Sequence, residues 1–303
     1  MSTDPVRTVA VRRFAGLGDI LLSTCAAWRY AEATGRTLVL DWRGTWYSPS
    51  ANANLFTLLF QPLDTWCGVP VHVTAADERH PRPATTGAAA EAASASAACA
   101  TISAGVDLAD EHVRWWGCLA PAHPGRARTA ELLRALQPVA HLAEAIDAER
   151  NTLLGAGASI GVHLRHGNGG DILNHTRYWL DGLTVHRVLA AIRRAQAVLG
   201  ANTPVLLATD SAEIQNAVAT LVPGVRTLGT PFRPAGEGEL HLWPGAAAAL
   251  DTTFVEMILL AHTTALVRMP PQSYFSAPAA FMKAPAPAEL LQRSPQGLEP
   301  AVW

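Results

Sequence analysis

The stretch ASIGVHLRHGNGGDILNHTRYW, residues 158–179, decides how this chain is read. It opens as an apolar run, delivers His163 and Arg165, and then breaks into Gly167-Asn168-Gly169-Gly170-Asp171. Asn174, His175, Thr176 and Arg177 follow before Trp179. A strand that hands a charged residue to a Gly-rich turn is how open α/β sheets build ligand sites, because loops at the carboxyl ends of the strands line the crevice. An arginine there presents five donors in a rigid fork suited to phosphate. The alternative is an arginine that caps a strand and pairs with a neighbour. The density of Gly, His and Asn in this loop favours the ligand site.

Working outward, the chain after this stretch alternates strand and helix. Residues 159–164 read as a strand and 184–199 as a helix with Val185, Val188, Leu189, Ile192 and Leu199 on one face. Residues 204–208 form a strand that enters Thr209-Asp210-Ser211, then a helix from Ala212. A strand at 225–228, a helix at 251–261 and a strand at 265–268 follow, and Pro270-Pro271-Gln272-Ser273 is expected to open a final helix.

Before it, residues 7–13 read as a strand, 14–19 as a turn, 20–33 as a helix stopped by Gly35, and 37–41 as a second strand. That strand–helix–strand unit points to a parallel sheet. Gly16 and Gly18 invite a dinucleotide reading, but the third glycine of G-x-G-x-x-G would fall on Leu21, so that reading is disfavoured. Trp42, Trp46 and Tyr47 could floor a sugar site or simply cover the sheet end. A short helix is expected at 52–60 and a strand at 68–74. Residues 81–105 are Ala-, Ser- and Thr-rich, and read as a mobile loop or weakly held helix; an aromatic–basic cluster at 112–117 follows. Residues 131–150 read as a helix leading out of a first domain, 1–150, with a second domain at 151–303.

The totals fit two cores: 303 residues, 49% hydrophobic and 16% charged. A net charge of −2 argues against nucleic acid or an anionic membrane as main partner. No apolar run has the length of a membrane span, and the opening residues lack the form of a signal peptide. Cys25, Cys67, Cys99 and Cys118 show no C-x-x-C spacing, which suggests free thiols and a cytoplasmic protein.

If the second-half strands are parallel neighbours, their carboxyl ends gather His163, Arg165, His166 and Asn168, then Asp210, then Asp251, then Ser273 and Tyr274. Ser273 at a helix N-terminus would favour an anion, and Asp210 and Asp251 could accept from a base or a ribose. Together they fit a nucleotide diphosphate without requiring a metal: His163 and His166 are spaced for opposite faces of a strand, and there is no H-E-x-x-H or D-x-D. No G-x-S-x-G elbow supports a serine hydrolase.

At this point GVHLRHGNGGDILNH, with the N-terminal RFAGLGDILLSTCAAWRYAEATGRTLVLDWRGTWY, resembles the nodulation-factor fucosyltransferase (NodZ) family, related to the α1,6-fucosyltransferases. The later DTTFVEMILLAHTTALVRMPPQSYFS is similar to that family's third motif. The resemblance covers most of the chain in order and weakens over residues 81–126. It implies a GT-B architecture, two Rossmann-like domains facing across a cleft, with GDP-fucose as donor substrate held mainly by the C-terminal one and no metal or other cofactor. It implies that Arg165 is the donor-site arginine with His166 and Asn168 beside it, that Asp210 is the acidic position of the T-D motif, and that Asp251 faces the guanine. Ser273, Tyr274, Phe275 and Ser276 would lie near the diphosphate. Animal relatives carry a second arginine where this chain has His166, which removes one fixed positive charge.

The chemistry expected is an inverting displacement, in which an acceptor hydroxyl attacks the anomeric carbon while Arg165 stabilises charge on the leaving diphosphate. Asp171 is the first candidate general base, with His175 and Asp19 as others; Gly16 and Gly18 would let backbone approach donor or acceptor. The acceptor is a glycan or a small molecule. A transferase for a different nucleotide sugar and a non-catalytic nucleotide or glycan binder remain the competing readings.

Overall fold

The computed structural model describes residues 7–11, 15–78, 99–102, 125–167, 182–234, 237, 245–269, 273–283 and 301–302. The chain divides into two compact units, Met1–Val139 and Ala140–Trp303.

In the first unit, β1 (Thr8–Val11), β2 (Thr37–Leu40), β4 (Val69–Val73) and β5 (Cys99–Ile102) run parallel in the order β4-β2-β1-β5, and β3 (Thr65–Trp66) pairs antiparallel with β4. Helix α1 (Leu17–Thr34) connects β1 to β2 and ends where Gly35 adopts φ 63°. Its buried Trp28 donates to the Trp66 carbonyl at 2.6 Å, and Trp66 donates to the Leu132 carbonyl at 3.0 Å. Those two indole bonds tie α1 to the sheet edge and to α3 (Gly125–Ala135). The helix starts at Leu17, so Gly18 lies inside its first turn rather than in a connecting turn. The strand at Cys99–Ile102 corrects the expectation of a loop or helix there: a small-residue segment can still close a sheet edge through backbone bonds.

Short helix α2 (Leu55–Leu59) is capped by Asn54, whose carbonyl oxygen accepts from Phe56 N–H and whose amide donates to Leu40 and Thr74. Trp42 is fully buried edge-on against Phe56 and Phe60, and Tyr47 is buried too. Of the two readings of this aromatic cluster, covering the sheet end is therefore the one these two rings satisfy.

A single helix across 131–150 does not form. Pro138 forces the residue before it towards extended backbone, and the chain breaks between α3 and α4 (Ala140–Glu149). Helix α4 packs on α7 (Leu250–His262) of the second unit.

In the second unit, β6 (Ile160–Leu164), β7 (Val205–Thr209), β8 (Val225–Arg226) and β9 (Ala265–Met269) are parallel in the order β9-β6-β7-β8, with β10 (Ala301–Val302) antiparallel at the β9 edge. β6 and β7 are buried at every position, the mark of strands covered on both faces. One face (Ile160, Val162, Leu164, Val205, Leu207, Val267) packs on α5 (Gly182–Leu199) through Val188, Leu189 and Ile192, and on α6 (Ala212–Leu221) through Ile214 and Val218. The other face carries Gly161, His163 and Arg268 beneath α7. There a Cβ on Gly161 would stand 2.8 Å from Thr263 Oγ1, so glycine is what lets helix and strand approach. Counted in chain order, both parallel sheets read 3-2-1-4, the Rossmann order, and the fold class is α/β with two Rossmann-like units of GT-B type.

Candidate active site

In a sheet of this order, ligands bind where the strand order reverses, outside the carboxyl ends of the first and fourth strands. In the second unit that place lies between β6 and β9. Arg165 stands there, its amide continuing the ladder to the Met269 carbonyl at 2.8 Å.

Asp210, the first residue after β7, organises the site. Its carboxylate accepts the His166 amide at 2.7 Å, the Gly167 amide at 2.9 Å and the Arg165 Nε at 3.1 Å. Directly after these two amides Gly167 turns the chain at φ 74°, a region that L side chains rarely adopt. The Arg165 side chain is 17% exposed and that of Asp210 is 8% exposed. The guanidinium is therefore held in orientation from the Nε side, by a pair screened from water on most of its surface.

His163 is buried between Arg268 and the Phe275 ring, whose centroid lies 5.1 Å from its own. Burial, then Arg268, then Arg165 hold its imidazole well below the usual histidine range, so it is neutral at pH 7. Its Nδ1 and the Nδ1 of His166 are buried without a hydrogen-bond partner among the described residues.

Ser273 does not stand at the helix N-terminus expected for it. Helix α8 (Ala277–Met282) begins later, with Ser276 at its N-cap position. Both serines instead hold Arg268, which is fully buried: its Nε donates to Ser276 Oγ at 2.9 Å and its Nη2 to the Ser273 carbonyl. Tyr274, between them, is 36% exposed. Arg268 was legible only as the end of a strand, since a lone arginine in ALVRM reads as a boundary rather than a buried anchor. A second missed residue is Glu256 on α7, 6% exposed and hydrogen-bonded by Thr230 at 3.2 Å.

Asp251 lies in the first turn of α7 and pairs with His141 at 3.6 Å, both largely exposed. Gly16 is the N-cap residue of α1 at an ordinary φ of −62°, and Gly18 is buried in the first turn. Asn168, Asp171 and His175 lie outside the described residues. Among the described residues no group of three or more His, Cys, Asp or Glu side chains is gathered around a metal position, and no helix is long and apolar enough to cross a membrane.

The sequence pattern of Nodulation protein Z (NodZ) matches residues 5–86 and 116–286. The chain belongs to the NodZ family. Nodulation protein Z of Sinorhizobium fredii is 31% identical over 296 residues, covering 89% of each chain. That of Azorhizobium caulinodans is 32% identical over 320 residues, covering 89% of this chain and 87% of the relative. The crystal structure of NodZ alpha-1,6-fucosyltransferase soaked with GDP-fucose superposes with a TM-score of 0.67 at 26% identity, over 91% of this chain and 92% of the other. POFUT1 in complex with GDP-fucose, at 14% identity and TM-score 0.52, shares the fold. As a NodZ-family member the protein is a glycosyltransferase of the fucosyltransferase class.

Proposed function

We propose that this protein transfers fucose from GDP-fucose to a hydroxyl group of a glycan or small-molecule acceptor, by an inverting, metal-independent displacement. The observation that carries the reading is Arg165, which follows β6 beside the switch point of the second unit and is held by Asp210 from the end of β7. In this reading the second unit holds the donor and the first faces the acceptor, and the NodZ structure soaked with GDP-fucose supports the choice of donor.

As the bond from the anomeric carbon to the diphosphate oxygen breaks, negative charge grows on that diphosphate and positive charge on the sugar ring. Arg165, already fixed by Asp210, stabilises the leaving charge without reorganising. The turn around Ser273, Tyr274, Phe275 and Ser276, anchored by buried Arg268, lies beside the diphosphate, with His163 neutral beneath it. His166 and Asn168 complete the strand-end loop, and Asp251 accepts from the guanine. Gly16 and Gly18 bring backbone towards donor or acceptor. The acceptor proton passes to Asp171, with His175 and Asp19 as the other candidate bases. A cytoplasmic setting belongs to the same proposal and rests on composition.

The test is release of GDP from GDP-fucose by the full chain in EDTA, with and without chitin-type oligosaccharides or small hydroxylated acceptors. GDP release with fucose found on an acceptor or on water supports the reading. Binding of GDP-fucose with no cleavage under any of these conditions overturns it in favour of a binder.

A further inference from the structure

One ring of the aromatic cluster after β2 is not buried with the others. Trp42 and Tyr47 are enclosed, but Trp46 stays partly exposed. It stands in a turn closed by the Ser48 amide on the Thr45 carbonyl at 2.9 Å and by the Thr45 amide on Ser48 Oγ at 3.2 Å. Arg43, just before that turn, fastens it to the neighbouring strand end. Its Nε and Nη2 donate to the two Asp41 carboxylate oxygens at 2.7 and 3.1 Å. Its Nη1 donates to the carbonyls of Ala75, Ala76 and Glu78 at 3.0, 3.4 and 2.6 Å. The turn after β4 is closed too: the Glu78 carboxylate accepts the Ala75 amide at 3.1 Å, and His72 Nε2 donates to its two oxygens at 2.7 and 2.8 Å. The carboxyl ends of β2 and β4 thus carry two turns braced together by one arginine. One holds a partly exposed indole, the other a carboxylate with its histidine, 29% and 48% exposed. At the same two strand ends Trp42 Nε1 and Thr74 Oγ1 are buried with no hydrogen-bond partner among the described residues, which is costly unless a bound molecule satisfies them.

We propose that this edge of the first unit is a saccharide site, in which Trp46 stacks on the apolar C–H face of a pyranose ring with equatorial hydroxyls while Glu78 and His72 bond hydroxyls at its rim. Such a ring is flat and apolar on its faces and polar at its edge, so it calls for an aromatic face beside a few fixed polar groups. The carboxyl ends of the strands are where an open α/β sheet holds its ligands. All three guanidinium nitrogens of Arg43 are engaged with the protein, so this arginine braces the turns instead of offering a fork to phosphate, and a sugar suits the edge better than a nucleotide. The bracing also matters for affinity, because a loop that is already ordered loses little freedom when the ligand arrives. Use of the site for the acceptor rests on the transfer reading above; the saccharide site itself does not.

The experiment is calorimetric titration of chitotetraose and of cellotetraose, at millimolar concentrations, into the full wild-type, Trp46→Ala and Trp46→Phe chains. GDP is titrated into each as a control, and the melting temperature of every sample is recorded. We expect wild type to bind a tetrasaccharide, Trp46→Ala to bind it about tenfold more weakly, the scale of losing an aromatic anchor, and Trp46→Phe to fall between them. The Kd for GDP should be the same in all three. A saccharide Kd for Trp46→Ala within about twofold of wild type would overturn the proposal. So would wild type that binds GDP but neither tetrasaccharide. Wild type that binds saccharide but not GDP would overturn the donor reading and leave this site standing. If Trp46→Ala does not fold, indole N–H NMR of wild type decides: of its nine tryptophans, Trp46 is the one whose signal is missing from Trp46→Phe. A shift of that signal on adding saccharide supports the site, and a signal that does not move removes it.

Discussion

The Arg165 guanidinium and the Asp210 carboxylate meet at 3.1 Å, each delivered by the residue that directly follows its own parallel strand, β6 or β7. Because Asp210 also accepts the amides of His166 and Gly167, one side chain fixes both the direction of the arginine and the path of the loop after it.

Asp210→Asn should therefore lower turnover more than it lowers stability. The amide can still accept from one backbone N–H, but Arg165 loses its charged partner. We expect about a 10²-fold loss in kcat/KM, the scale of losing one oriented transition-state donor, and about 1–3 kcal/mol of stability. Steady-state kinetics alongside urea unfolding separates the two effects. Equal turnover in the variant would remove Asp210 from the site.

Arg165→Lys keeps the charge and loses the fork. An ammonium cannot both hold Asp210 and present a planar pair of donors to phosphate. Turnover should fall about 10²–10³-fold with little change in melting temperature. Near-normal turnover would sink the role given to this arginine.

Gly161→Ala tests the packing that lies under the site. The added methyl would meet Thr263 Oγ1 at 2.8 Å and Leu260 Cδ2 and Thr263 Cγ2 at 3.1 Å, so α7 must shift away from β6. The cost should be about 1–3 kcal/mol, as for overpacking elsewhere. Unfolding midpoints in urea check it, and an unchanged midpoint would show that α7 yields freely.

The pH dependence of stability has a definite sign in one window. The carboxyl of Glu256 is raised in the folded protein to about 8 from an ordinary 4.5, so its favourable contribution is complete below pH 4.5 and is lost as pH rises towards 8. His163, lowered when folded, acts oppositely: its contribution is present above its ordinary 6.5 and is lost as pH falls. Between pH 6.5 and 8 the Glu256 effect stands clear of that histidine. There Glu256→Gln should gain on wild type by up to about 2 kcal/mol, at roughly 1.4 kcal/mol per pH unit. Denaturant unfolding of both proteins across that range measures it; parallel curves would mean Glu256 is already ionised.

Much of this site was legible in sequence because its geometry is local. GVHLR followed by HG is a buried strand meeting a turn, and T-D after LLA marks the next strand end, so Arg165 and Asp210 were found from periodicity and glycine placement. What sequence missed are groups whose partners come from other elements. Glu256 sits in TTFVEMILL, where one acid among apolar residues reads as a solvent-facing helix position; only the return of the chain after β8 brings Thr230 to it. Arg268 likewise finds its partners in a turn whose shape the prolines disguise. Pro270 and Pro271 suggest an immediate helix start, whereas the helix waits until Ala277 and leaves Ser273 and Ser276 to hold the arginine. The break at Pro138 was readable in principle, but the helical residues on both sides of it hid the interruption.

The central claim, a GDP-sugar donor site built on Arg165 and Asp210, is most directly tested by the melting temperature of the full chain with GDP, UDP, ADP and TDP, with and without EDTA. A ligand that binds only the folded state raises that temperature by mass action. The account predicts selective stabilisation by GDP that survives EDTA and is lost in Arg165→Lys. Selectivity for another nucleotide, or no shift with any of them, would contradict it.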